Sequence, residues 1–361
     1  LAKYLTDENA AADLAQALKI AINSVYGLTS AGFENPFRDN RNKDNIVAKR
    51  GALFMVNLKH AVQNQGFTVA HIKTDSIKIP DATPEIIKFV TEYGKLYGYN
   101  FEHEATYDRM CLVNDAVYIA RYATVEKCCD LYGKKYIDSA KDICKENKKH
   151  PYAWTATGTQ FQIPYVFKTL FSKENIEFED MCETKSVTSS LYLDMNEALP
   201  DVSKLEDEVT ALKKKYADTN GDYPFDIDEE IQSKTAEITK GHDYHFIGKV
   251  GQFCPIKPGC GGGILLRETE NKKTGEKGYA AATGSKGFRW LESEMVKQLD
   301  KQGDIDRTYY NNMVDEAVKS LSVYGDFERF AADEPYVSDN TPPWFGAGEP
   351  HEDDVTPFDV R

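Results

Sequence analysis

At 361 residues, with 41% hydrophobic and 28% charged side chains, the chain is long enough for two or three domains with a sizeable core. Its formal net charge of −14 excludes a protein that coats nucleic acid non-specifically, and no run of about 18 apolar residues marks a membrane span. Seven cysteines without a CxxC pair argue against a zinc ribbon and for a reduced, intracellular setting. No basic-then-apolar leader opens the chain, so no secretion signal is expected. The first residue is Leu1 and not methionine, which fits a processed chain, a trimmed one, or a piece of something longer. The charge is uneven. Residues 1–80 hold ten Lys/Arg against seven Asp/Glu, residues 176–240 seven against seventeen, and residues 326–361 two against ten. An anionic partner would meet the N-terminal part.

In chain order, residues 7–29 read as a helix with acidic residues in its first turn and Gly27 near its end. A polar loop (33–44) and a second helix (45–65) follow. Two short apolar runs around Thr74-Asp75-Ser76 predict a strand–turn–strand, and 83–98 predicts a helix with Pro84 at its start. Residues 101–113 and 116–122 read as two strands about an Asn114-Asp115 turn. This order predicts one antiparallel sheet with helices on one face. A Lys-rich connector or helix spans 127–149. The charged segment 200–240 reads as a helical excursion, and 244–290 as short strands with a Gly cluster. Helices are expected near 288–300 and 308–323, then an acidic, partly disordered tail from about 331.

Two constellations carry candidate chemistry. On the first helix Lys19, Asn23 and Tyr26 fall within about 60° of each other, while Leu14, Leu18, Ala21, Val25 and Leu28 form a separate stripe suited to the core. The polar face is either an ordinary solvated face or an ammonium, an amide and a ring aligned to meet a phosphate and a base. The second constellation is the hairpin. Phe67, Val69, His71, Lys73 and Asp75 alternate onto one face, and Ala70 and Ile72 onto the other. Asp75 at the tip is either a simple turn residue or a carboxylate placed to hold a divalent cation against an anion.

The two motifs, in this order and about fifty residues apart, resemble those of the family B DNA polymerases. Lys19, Asn23, Ser24, Tyr26 and Gly27 match the fingers motif Lys-x-x-x-Asn-Ser-x-Tyr-Gly. Thr74, Asp75 and Ser76 match the palm motif Asp-Thr-Asp-Ser. The matching part runs from residue 1 to about 125. "PYVFKTLFS" and "GSKGFRWLE" further on are similar to the C-terminal parts of phage-encoded polymerases. The resemblance implies an α+β fold: a palm with an antiparallel sheet backed by helices, a fingers helix at the N-terminus, and a mixed, thumb-like C-terminal region. Its divisions would be residues 1–66 (fingers helix and return), 67–125 (palm and catalytic hairpin), 126–330 (thumb-like region) and 331–361 (tail). It implies DNA-directed DNA polymerase activity in DNA replication, with primer–template DNA and a dNTP as partners, in the cytoplasm of a bacterial or phage-infected host cell. Lys19 and Asn23 would contact the triphosphate. Tyr26 with Gly27 would line the nascent base pair. Asp75 would hold two Mg²⁺ ions, and Lys73, Tyr118 and Arg121 would meet the DNA.

Three departures stand against that pattern. Lys73 replaces the first Asp of the palm pair, and it either opposes a metal or supplies positive charge beside a phosphate. The primer-gripping Lys-Lys-Arg-Tyr element is reduced to "NDAVYIARY", with Tyr118 kept and Arg121 displaced. The upstream Asp of Ser-Leu-Tyr-Pro type, which would supply the second metal carboxylate, is absent, as is a proofreading carboxylate cluster. The chain is therefore expected to need the remainder of a polymerase. Two rival readings remain: a non-catalytic DNA-binding or assembly module derived from a polymerase, and a primase-like nucleotidyltransferase. The latter has no need of the Tyr26-Gly27 helix. Of the weaker signals, "KPGCGGGILL" (257–266) lacks a phosphate-loop Lys and reads as a tight turn, with a DNA-backbone contact as the alternative. "TGSKGFRW" (283–290) reads as a surface loop or a single-strand contact.

Overall fold

The structure, a computed structural model, describes residues 8–134, 144–216, 222–271, 275 and 277–332. It is an α+β fold in which the pairings of His71–Ile72 with Ile77–Lys78, Tyr107–Leu112 with Tyr118–Tyr122, Glu183–Asp194 with Tyr244–Ile256 and Ile264–Glu270, Tyr244–Ile256 with Arg289–Glu292, and Ile264–Glu270 with Lys277–Ala281 are antiparallel. The chain divides into two compact units, Leu1–Thr155 and Ala156–Arg361. The divisions expected at 66 and 125 lie inside the first of them. Most of the acidic tail, and residues 135–143 of the Lys-rich connector, lie outside the described residues.

The N-terminal unit begins with α1 (Glu8–Ser30), α2 (Asn40–Lys43) and α3 (Ile46–Asn64). The hairpin β1 (His71–Ile72) and β2 (Ile77–Lys78) follows, then α4 (Pro84–Leu96). β3 (Tyr107–Leu112), β4 (Tyr118–Tyr122), α5 (Val125–Tyr132), α6 (Lys145–Lys149) and β5 (Trp154–Ala156) complete it. On α3 the buried residues Phe54, Met55, Leu58 and Val62 recur at helical spacing, and α4 answers with Ile86, Val90 and Gly94. These two stripes enclose a core with Ile72 and Ile77 of the hairpin. Gly94 is needed there, because a Cβ would lie 2.6 Å from the Phe101 ring.

Three expectations change. The strands form two hydrogen-bonded sheets, β1-β2 and β3-β4-β5, in place of one. Phe67 and Val69 join the α3/α4 core together with Ile72 instead of lying on the face opposite to it with His71, Lys73 and Asp75. The reason is that pairing starts only at His71, so the alternation does not extend back to them. The apolar stripe of α1 is not covered either: Leu14, Leu18 and Val25 are exposed, and of the five only Leu28 is half-buried. Among the described residues only α2 packs extensively on α1. Asp39 N–H donates to Thr29 O (3.0 Å) and Asn42 Nδ2 to Thr29 Oγ1 (2.6 Å), near the end of the helix.

The C-terminal unit opens with two short helical turns, α7 (Thr159–Gln162) and α8 (Pro164–Phe167), continued by a π-helical segment Lys168–Ser172. Its centre is a five-stranded sheet in the order β10-β7-β6-β8-β9. The strands are β6 (Glu183–Asp194), β7 (Tyr244–Ile256), β8 (Ile264–Glu270), β9 (Lys277–Ala281) and β10 (Arg289–Glu292). Between β6 and β7 stands the expected helical excursion, α9 (Ser203–Lys215) and α10 (Phe225–Ile238). α11 (Ser293–Gln298), α12 (Thr308–Ser322) and α13 (Phe327–Ala331) follow β10. One core collects Leu191, Leu193, Phe253, Leu265, Trp290 and Tyr310, each 2% exposed or less. The 12-residue β6 was not anticipated from the sequence. The helix expected near 288–300 starts only at Ser293, because 289–292 pair with Phe253–Ile256 of β7 as a strand.

Candidate functional site

Asp75 sits at the tip of the β1-β2 hairpin and is exposed, as is Thr74. The tip is closed by Lys73 N–H donating to Ser76 O at 2.8 Å, and the base by Ala70 N–H donating to Lys78 O at 3.0 Å. Ile72 and Ile77 anchor the hairpin in the α3/α4 core, so the tip stands on a packed base. His71 turns inward. It is 7% exposed, and its Nε2 lies 2.8 Å from the carbonyl oxygen of Asp115, in the turn before β4.

That bond brings the hairpin beside β4. Lys73 Nζ lies 5.4 Å and Lys78 Nζ 4.6 Å from the centre of the Tyr118 ring. Two ammonium groups thus share one aromatic ring, within the range of cation–π attraction. Neither forms an ion pair among the described residues. Burial, and then the neighbouring Lys73 ammonium, hold the Lys78 amine below its ordinary value, while Asp75 and Glu104 pull weakly the other way. Tyr107 completes the cluster at 6.3 Å from Tyr118. Burial, with Tyr118 beside it, pushes its phenol well above the ordinary value, so it remains a hydrogen-bond donor at neutral pH. The arrangement is an electropositive patch behind an exposed carboxylate, and an anion placed there would meet two cations at once. Lys78 was not among the residues singled out from the sequence. Its register partner is His71, so strand pairing puts it on the face that carries Lys73.

Arg121 requires a correction, because its guanidinium is not at a DNA-facing surface. It is 1% exposed and grips Asp108 with two hydrogen bonds, Nε to Oδ1 at 3.0 Å and Nη2 to Oδ2 at 2.6 Å. Tyr152 covers the guanidinium at 3.8 Å, and Trp154 lies 5.6 Å away. The cause is a register shift between Tyr107 and Arg109 in the β3-β4 pairing, which leaves Asp108 outside the ladder and free to face Arg121.

Lys19, Asn23, Tyr26 and Gly27 all lie on α1 and are exposed. Ser24 spends its hydroxyl on the helix itself, donating to Ile20 O at 2.8 Å. A Cβ at Gly27 would meet nothing within 4 Å, so no packing inside the fold requires a glycine there. A mid-helix glycine costs about 0.5–1 kcal/mol relative to alanine. The structure brings Lys73, Tyr118 and the Asp75 tip together. Among the described residues α1 has no extensive packing against that hairpin. No group of three or more His, Cys, Asp or Glu suited to a metal occurs among the described residues.

No family model matches the chain, and neither a curated protein nor a solved structure matches it.

The two weaker motifs resolve into internal contacts. Gly259 and Gly261 both direct their N–H groups at the Glu197 carboxylate, at 2.6 and 2.7 Å, so the turn's anion is supplied by the chain itself. Arg289 donates to Gly262 O (2.8 Å) and Asn196 Oδ1 (2.7 Å). Ser285 is buried under the sheet, which leaves Lys286 as the exposed cation of that loop.

Proposed function

We propose that the chain is the fingers, palm and C-terminal portion of a family B DNA-directed DNA polymerase. It would add dNMP units to a primer 3′-hydroxyl once the remainder of the polymerase is present. The observation that carries this reading is the exposed Asp75 hairpin tip set beside the Lys73–Lys78–Tyr118 patch. A carboxylate for a cation and a cationic patch for a phosphate chain stand next to each other on a packed base. Gly27 adds support. A glycine that the fold does not need, on an exposed helix beside Tyr26, makes sense where a ligand approaches the backbone.

Asp75 suits Mg²⁺ as one of its oxygen donors, since that ion keeps waters and substrate phosphates and needs few protein carboxylates. When bound, the two ions would activate the primer hydroxyl and neutralise the departing pyrophosphate. The second carboxylate would come from outside this chain. Lys73 and Lys78 would neutralise backbone phosphates, with Tyr118 fixing their position. Lys19 and Asn23 would take the triphosphate as point charge and amide donor. Tyr26 would lie against the new base pair.

The test is primer extension by the chain joined to the residues encoded upstream of Leu1. Asp75→Asn should lower incorporation by about three orders of magnitude or more, roughly 4 kcal/mol of transition-state stabilisation, with primer–template affinity nearly unchanged. Near wild-type incorporation by that variant would remove the metal role. The second reading, a polymerase-derived DNA-binding module without catalysis, is favoured by the two lysines standing beside the Asp75 tip. It would be upheld by DNA binding without extension in the joined protein.

A further inference from the structure

The C-terminal unit holds a second site of chemistry, unconnected with the polymerase reading. The sulfurs of Cys182 and Cys254 lie 3.4 Å apart. Cys182 is the extended residue just before β6, and Glu183 pairs with Phe253 across the β6-β7 ladder. The next pair outward therefore sets Cys182 opposite Cys254. Directly opposed antiparallel residues have Cα atoms about 4.5–5.5 Å apart, inside the roughly 4.4–6.8 Å that a disulfide spans. Closing the bond needs the sulfurs to approach by little more than an ångström, with no rearrangement of the sheet.

Access and reactivity divide between the two residues. Cys254 is fully buried, whereas Cys182 is half-buried at the edge of the core. The contact with Cys254 holds the Cys182 thiol below its ordinary value, against burial and the Glu179 and Asp180 carboxylates, with the Lys297 ammonium on the lowering side; the thiol also donates to Phe178 O at 3.3 Å. Lys297 is fixed nearby, 3.1 Å from Glu179 and over the Phe178 ring. The other adjacent thiols lack this combination. Cys128 and Cys144 are both fully buried, with Cys144 Sγ 3.7 Å from His103 Nδ1. Cys260 is half-buried.

We propose that Cys182 and Cys254 form a modification site, a reversible disulfide installed by a peroxide in the core of the C-terminal unit. The Cys182 thiolate attacks one peroxide oxygen. The O–O bond breaks, the sulfur becomes a sulfenic acid, and the departing hydroxide takes a proton to become water. The Cys254 sulfur then attacks the Cys182 sulfur, the S–O bond breaks, and a second water leaves with the Cys254 proton. Two thiols lose two electrons, and one hydrogen peroxide is reduced to two waters. The product ties the first residues of β6 to β7 and closes a loop across the 72-residue separation of the pair.

The experiment treats the full chain with hydrogen peroxide, blocks the remaining thiols, and maps peptides by mass before and after dithiothreitol. The expected result is a Cys182–Cys254 linked peptide, two mass units below the sum of the free peptides, lost on reduction. The unfolding midpoint of the oxidised protein should rise by about 5–10 °C. Cys182→Ser should abolish the link and leave Cys254 unmodified. Cys254→Ser should leave Cys182 as a sulfinic acid or a mixed adduct. Mapping on the unaltered chain decides the matter even if a variant fails to fold. Three results overturn the proposal: a linked peptide joining other cysteines, over-oxidised Cys182 with Cys254 still free, or two unmodified thiols.

Discussion

The two units solve the same problem differently. In the C-terminal unit strands of 12 and 13 residues run through the middle of a five-stranded sheet and bury Trp290, Phe253 and Leu191 completely. In the N-terminal unit the strands are short, the buried residues include a small α3/α4 core, a cluster around Cys128, and Cys111, Ile119 and Ala120 of β3 and β4, and a 23-residue helix carries its apolar stripe into solvent. The candidate chemistry lies on the unit with the short strands and the exposed helix. Both units expose large apolar side chains, Phe225, Phe246 and Val323 in the C-terminal unit among them, but in the N-terminal unit Leu14, Leu18 and Val25 line one face of a single long helix.

That contrast can be broken most severely in the C-terminal core. Trp290→Ala should destabilise that unit by about 3–5 kcal/mol, seen as a lowered urea midpoint for exchange-protected amides of β6 and β7, with α3 and α4 unaffected. A loss under about 1 kcal/mol would mean the large core is not what holds the sheet. Next comes the buried Arg121–Asp108 ion pair of the N-terminal unit. Arg121→Met strands Asp108 with little solvent and should cost about 3–5 kcal/mol, while the double change with Asp108→Leu should recover most of it. Equal losses in the single and double variants would show that packing under Tyr152, and not charge, is what Arg121 supplies.

A smaller effect is expected at the cationic patch. Lys73→Met with Lys78→Met should weaken primer–template binding ten- to a hundredfold, about 1.4–2.8 kcal/mol, and the loss should shrink as salt rises. Unchanged binding at low salt would detach the patch from DNA. The smallest effect belongs to α1. Leu18→Ser should change the stability of this chain by no more than about 0.5 kcal/mol, because the side chain has little burial to lose. A thermal-shift loss several times larger would reveal a cover over the stripe and bring the two units closer in kind.

Much of the N-terminal architecture was legible because local rules govern it. The spans of α1, α3 and α4 follow from helical periodicity, and the hairpin follows from its two apolar runs and the turn residues between them. What was not legible depends on partners distant in the chain. β10 reads as helix from its own residues. It becomes a strand because Trp290 exchanges backbone hydrogen bonds with Gly263 and its ring fills the core. β6 escaped notice because register shifts between Ser186 and Tyr192 break its alternation. At the candidate site, Asp75 and Lys73 were visible from strand alternation. The burial of Arg121 was not, since it hinges on an irregularity that turns Asp108 toward it.

The turn at 257–263 has a consequence for how this sequence can drift. Gly259 and Gly261 hold left-handed backbone angles, φ 82° and 77°, with their N–H groups on Glu197. Gly262 and Gly263 have ordinary angles, but a Cβ there would come within 3.0 Å of Arg289 Cβ and 2.7 Å of Met195 Sδ. One run of glycines is thus fixed by two unrelated constraints, torsional for the first pair and volumetric for the second. Among descendants of this chain Glu197 could be exchanged for aspartate only if the turn itself moved. Its carboxylate is the mould around which the loop is cast, and the alphabet permitted at all five positions narrows together.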